Sequence, residues 1–135
     1  MSIAMQLSTL GNFIMYFASA VVLTGIFAFI YARLTPWHEI ALIRAGNNAA
    51  AISFSGALLG FILPLSSAIA HSVAFLDMIV WGVIALIVQL LVFLGSRLFD
   101  ADLKRRIEAG ETAAATKLGV LALGMGVLNA ACMSY

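Results

Sequence analysis

Residues 109–119 read AGETAAATKLG, and residues 45–55 read AGNNAAAISFS. Each leads out of a charged stretch into a long apolar one, and the two lie 64 residues apart. The same offset places Arg33-Leu34 on Arg97-Leu98, Ile43 on Ile107 and Leu59-Gly60 on Leu123-Gly124, without a gap. Ala and Leu are common enough to match by chance. Arg-Leu, Ala-Gly and Leu-Gly keeping one offset are not readily explained that way. The chain therefore reads as two copies of one unit, an apolar helix, a charged linker and a second apolar helix. The first copy covers about 10–70 and the second about 74–135.

The composition says where such units live. Of 135 residues, 64% are hydrophobic and 10% charged, whereas soluble domains carry roughly a quarter charged residues. A chain this apolar cannot cover itself with polar surface in water. Four segments reach the roughly 20 apolar residues that a membrane helix needs: about 11–32, 48–70, 76–96 and 112–133. They use nearly the whole chain, which leaves one domain and no soluble one. Their continuous apolarity lacks the in/out alternation of a barrel strand. The expected fold is all-α, a polytopic membrane protein with four transmembrane helices built as two parallel helix–linker–helix repeats. The repeats would be related by an axis along the membrane normal.

The charges are confined. All seven Lys and Arg residues, Arg33, Arg44, Arg97, Lys104, Arg105, Arg106 and Lys117, lie in 33–44 or 97–117. The positive-inside rule places both linkers in the cytoplasm and both termini on the periplasmic side. The N-terminus has no positive stretch before its apolar run, so no cleaved signal is expected. Cys132 stands alone and cannot form an intrachain disulfide.

The linkers TPWHEIALIRAG and FDADLKRRIEAG each suggest a short interfacial helix. Pro36 suits its first turn. Leu103 and Ile107, four apart, share one face. Gly46 and Gly110 are placed to end these helices in a left-handed conformation. Asn47 or Asn48, and Thr112, are placed to cap the helices that follow, and Glu111 suits a positive helix end. Lys117 lies about 9 Å beyond Glu111 at 1.5 Å per residue. Its stem can reach back to the interface. The sharper reading has it facing a pocket that holds an anion, because ionisable groups in a membrane segment mark functional sites.

Segments two and four carry small residues every four positions: Gly56, Gly60, Pro64 and Ala68, then Ala122, Gly126, Ala130 and Ser134. Such stripes let backbones approach closely, so these two helices are expected at the centre, with one and three nearer lipid. Pro64 should kink segment two, its freed carbonyl met by Ser66, Ser67 or a neighbouring helix. Ser53, Ser66, Gln89 and Asn129 are further polar candidates, and Gln89 should face another helix because an amide in lipid is costly.

Catalytic patterns are missing. His38-Glu39 opens an HExxH-like run, but Leu42 takes the second histidine's place, and no metal-ligand cluster follows. There is no nucleotide-binding glycine loop, and no nucleophile–base set can be argued from spacing. Neither an enzyme, a cofactor nor a nucleic-acid partner is expected. The Lys104-Arg105-Arg106 run is a topology signal and an anionic-lipid contact.

The stretches TPWHEIALI, GNNAAAISFSGALLGFILPLSSA, WGVIALIVQLLVFLGSRL and NAACMSY resemble the YjfL-like family, domain of unknown function 350, over nearly the full length. Pro36, Glu39, Asn47, Pro64, Gln89 and Asn129 lie inside the matching stretches. Lys117 lies outside them. The resemblance implies a bacterial inner-membrane location and no assigned activity. The family's frequent neighbourhood with soluble ligase-like and envelope-stress proteins implies an accessory role by association. Two functions are expected from these observations: an oligomeric accessory or scaffold subunit that binds a soluble cytoplasmic partner, or a small oligomeric channel or transporter for ions or small polar solutes.

Overall fold

A computed structural model describes residues 2–133. The described residues form six helices and no strand: α1 (Ile3–Leu34), α2 (Glu39–Arg44), α3 (Asn48–His71), α4 (Phe75–Phe99), α5 (Leu103–Glu108) and α6 (Thr112–Cys132). Among them, α1, α3, α4 and α6 are long and apolar enough to cross a membrane. The all-helical four-span architecture stands. α2 and α5 lie at one end, the linker end. The α3–α4 turn, the start of α1 and the end of α6 lie at the other.

The first span is longer than the sequence suggests. Ser2 accepts a hydrogen bond from the Met5 amide at 3.2 Å and starts α1 there. At 1.5 Å per residue the 32-residue helix runs about 48 Å, against a bilayer core of about 30 Å. Tyr16 meets Phe75, the first residue of α4, edge to face at 5.5 Å. The turns of α1 before Tyr16 therefore project past the rest of the bundle. Only Leu23, Phe27 and Tyr31, a stripe at four-residue spacing, are buried in α1.

α3 and α6 run side by side from the linker end and form the centre. A Cβ added to Gly56 would overlap the Gly119 backbone. One added to Gly60 would overlap the Ala122 carbonyl, and one on Gly126 the Gly60 backbone. Backbone meets backbone here, which only small residues allow. Gly119, outside the expected stripe, is the one that faces Gly56. Ser134 lies outside the described residues. α4 covers the pair, with Met78, Gly82, Ala85, Gln89 and Phe93 facing inward.

The carbonyl that Pro64 leaves free is met by a neighbouring helix. Pro64 has no N–H to give the Gly60 carbonyl. The Gln89 Nε2 of α4 donates to that carbonyl at 2.9 Å and to the Ala122 carbonyl at 3.0 Å. One amide thus joins three helices. Ser67 instead donates to the Ala130 carbonyl at 3.4 Å. Ser66 is exposed, on a groove between α1 and α3 that it shares with Thr24.

Both joints form as the glycines imply. Gly46 has φ +87° and Gly110 φ +79°. The Asn47 amide bonds the Leu42 carbonyl and the Glu111 amide the Arg106 carbonyl, at 2.9 and 3.0 Å. α2 and α5 have six residues each and start 64 residues apart. Two expectations fail. Pro36 sits in the bend before α2, not in its first turn, because the chain folds back at Thr35 and the helix starts only at Glu39. Thr112 is the first helical residue rather than a cap: Glu111 holds the cap position without a side-chain bond to the helix, its carboxylate drawn to Arg106.

Candidate functional site

The linker end holds a polar cluster that is buried rather than solvated. α1 ends at Leu34, where the Thr35 amide bonds the Tyr31 carbonyl. The Thr35 hydroxyl donates to the Ala32 carbonyl at 3.0 Å and lies 3.3 Å from that of Trp37. These bonds, with Pro36 fixing its own φ, turn the chain inward. Trp37 then packs edge to face on Phe93 of α4 at 5.8 Å, and Tyr31 packs on the same ring at 5.3 Å. Glu39, the first residue of α2, follows them into the interior and is 2% exposed.

Four polar atoms in this cluster are buried without a hydrogen-bond partner: the Tyr31 hydroxyl, the Trp37 Nε1 and both Glu39 oxygens. Polar atoms buried without a well-formed bond are costly, about 1–3 kcal/mol each. Burial pushes the Glu39 carboxyl from its ordinary 4.5 to about 7, although Trp37 and Thr35 pull the other way. The group can therefore take up and release a proton near neutral pH, and the cluster has the donor and acceptor set for a water molecule. It does not have that of a metal: among the described residues no three His, Cys, Asp or Glu side chains converge.

The other candidates do not converge on one centre. Asn47 caps α3, accepting from the Ala50 amide at 3.0 Å, while its Nδ2 donates to the Ile107 carbonyl of α5 at 2.9 Å. It ties the two linkers together. Ser53 is fully buried and bonds within its own helix, to the Ala50 carbonyl at 3.2 Å. Gln89 works at mid-bundle. Asn129 is half-buried towards the far end, its Nδ2 without a partner. Lys117 is exposed on a groove between α4 and α6.

The cations share the linker end. Lys104 lies 4.0 Å from Glu108, and Arg105 lies 3.3 Å from Asp102. Arg106 lies 3.0 Å from both Asp100 and Glu111. Arg33 sits 4.9 Å over the Phe29 ring. Arg44 and Arg97 are exposed, with no ion pair among the described residues. Leu103 and Ile107 are buried and anchor α5 to the bundle.

Sequence reasoning picked out Glu39 and missed Tyr31, Thr35, Trp37 and Phe93. The available signal was an indole two residues before a carboxylate, within reach of the Phe27/Tyr31 stripe.

Comparison with known proteins agrees with this architecture. The model of the family described as Domain of Unknown Function (DUF350) matches residues 4–133. The UPF0719 inner membrane protein YjfL of Escherichia coli strain K12 is 46% identical over 129 residues, covering 96% of this chain and 98% of that protein. The YjfL protein of Escherichia coli O157:H7 matches to the same extent. No solved structure matches significantly. The chain belongs to the DUF350 family and is a multi-pass inner membrane protein of that kind.

Proposed function

We propose that the protein is an accessory or scaffold subunit that works as a homo-oligomer and presents its linker end to a soluble cytoplasmic partner. One observation carries this reading: the interior is sealed while the charged end is displayed. α3 and α6 touch backbone to backbone at Gly56, Gly60, Gly119 and Gly126, so a single chain encloses no path. Arg44, Lys104 and Arg105 meanwhile stand exposed on two short helices pinned together by Asn47. The confinement of every Lys and Arg to the linker half supports a cytoplasmic linker end and periplasmic termini. The 64-residue spacing of the two linker helices supports a duplicated unit. The uncovered turns of α1 before Tyr16, where Leu7, Leu10, Phe13 and Ile14 stand exposed, support association of copies.

The test is recovery of partners from membranes solubilised mildly. The triple variant R44E/K104E/R105E should lose a soluble protein that the parent retains. Equal recovery by both would refute the reading.

The channel reading keeps one observation in its favour, the α1–α3 groove that carries Thr24 and Ser66. Only several copies could enclose a pore there. Proteoliposomes that stay tight to ions and small polar solutes would exclude it.

A further inference from the structure

The α4–α6 face carries a groove of about 490 Å³, within the roughly 300–1,000 Å³ of small-molecule sites. Its walls are nearly all apolar. Val92, Gly95 and Phe99 line one side, and Leu121 and Met125 the other. Leu103 of α5 lies at its linker end. Both walls belong to membrane spans, so whatever fills the groove comes from the bilayer.

Two charged side chains line it, Asp100 and Lys117. Asp100 is committed to Arg106 at 3.0 Å. Lys117 has no ion pair among the described residues. It lies five residues into α6, about 8 Å from the helix start, and its side chain leans back toward the linker end. The ammonium therefore stands near headgroup level, above a wall that only hydrocarbon wets. An apolar slot with one free cation at its mouth complements an amphiphile with one anionic group. Ser53 occupies the corresponding place in α3 and is buried, bonded within its own helix, so the first repeat offers no matching cation.

We infer that the α4–α6 groove is a binding site for one phospholipid with an anionic headgroup, an acyl chain lying between the helices and the phosphate on Lys117. A phosphate at the mouth gains a counter-ion that Asp100 does not contest, because Arg106 already neutralises it.

The test is native mass spectrometry of the full chain released from vesicles containing equal phosphatidylglycerol and phosphatidylcholine. The parent should retain one phosphatidylglycerol per protomer in preference to phosphatidylcholine. K117Q should lose about fivefold in that preference, the worth of one basic residue at an anionic surface, and K117R should keep it. R33Q, which removes an exposed cation elsewhere on the same end, should not change it. Gly95 lines the groove and has open space where a Cβ would be, so G95L should fold, fill the slot and lose the retained lipid altogether. Preference unchanged in K117Q, or lipid retained by G95L, would overturn the site. Displacement of the lipid by inorganic phosphate would also overturn it, by showing a soluble anion site instead.

Discussion

Replacing Glu39 by Gln removes a buried proton site while keeping shape and polarity. In the folded protein the carboxyl titrates near 7 rather than 4.5, chiefly because burial penalises its charged form. Below about pH 4.5 the group is protonated in both folded and unfolded states, and its contribution to stability is intact. As pH rises the unfolded chain releases the proton first, so stability falls until the folded group also ionises near 7, and is flat above that. At about 1.36 kcal/mol per pH unit, the gap between 4.5 and about 7 gives a loss of about 3 kcal/mol. By the scaling for domains of this size, that corresponds to roughly 10 °C in melting temperature. The assay is thermal unfolding of parent and E39Q in one mild detergent, from about pH 3.5, below the unfolded carboxyl's 4.5, to about pH 8. Every other titrating group contributes equally to both proteins and cancels in the difference. E39Q should match the parent at the acid end and exceed it by about 3 kcal/mol at the alkaline end. A difference independent of pH would refute the reasoning, because Glu39 would then be ionised and satisfied in the folded state.

Three further changes test the frame around that cluster. G126A should destabilise by at least about 1–3 kcal/mol, the usual cost of overpacking, because its methyl would enter the Gly60 backbone; G124A, with open space at that position, should be neutral in the same melt. Q89L should cost about 2–3 kcal/mol, since it strips a buried carbonyl of its donor, and clearly less in a P64A background, where α3 regains an N–H for Gly60; equal costs in the two backgrounds would break the proposed link. N47A should cost about 1–2 kcal/mol as a lost helix cap and should raise hydrogen exchange in α5 as well as α3; exchange changed in α3 alone would show that its bond to Ile107 carries nothing.

Much of the architecture was legible because a bilayer permits few solutions. Backbone groups in lipid must be satisfied within the helix, so four apolar runs of the right length translate directly into four spans. The glycine joints were legible for an equally local reason: a left-handed residue commonly ends a helix, and Gly46 and Gly110 supply it without steric cost. The start of α1 was not, because Gln6, Ser8, Thr9 and Asn12 dilute its first turns while Ser2 caps them. The burial of Glu39 was not either. A carboxylate in a charged linker reads as solvated, and only the fold-back at Thr35, the ring of Phe93 more than fifty residues away and the stripe on α1 combine to enclose it. Long-range packing of this kind leaves no periodic trace in sequence.

The two polar anomalies of the interior resolve in opposite ways, and the contrast bears on function. Pro64 opens a defect at mid-membrane, and Gln89 closes it with two hydrogen bonds of 2.9 and 3.0 Å. A neighbouring helix is one of the few ways to satisfy a backbone group freed in hydrocarbon, so both residues belong to the frame. The linker end makes no such repair. Tyr31, Trp37 and Glu39 are equally enclosed, yet the Tyr31 hydroxyl, the Trp37 Nε1 and both Glu39 oxygens lack a well-formed hydrogen bond. A chain that satisfies a buried carbonyl at mid-bilayer has the means to satisfy a carboxylate at its edge, for instance with an arginine from α5. It instead commits Arg106 to Asp100 and Glu111 and leaves Glu39 to carry a proton. The frame is thus rigid where lipid surrounds it, and poised to change charge where the first linker meets the displayed cations.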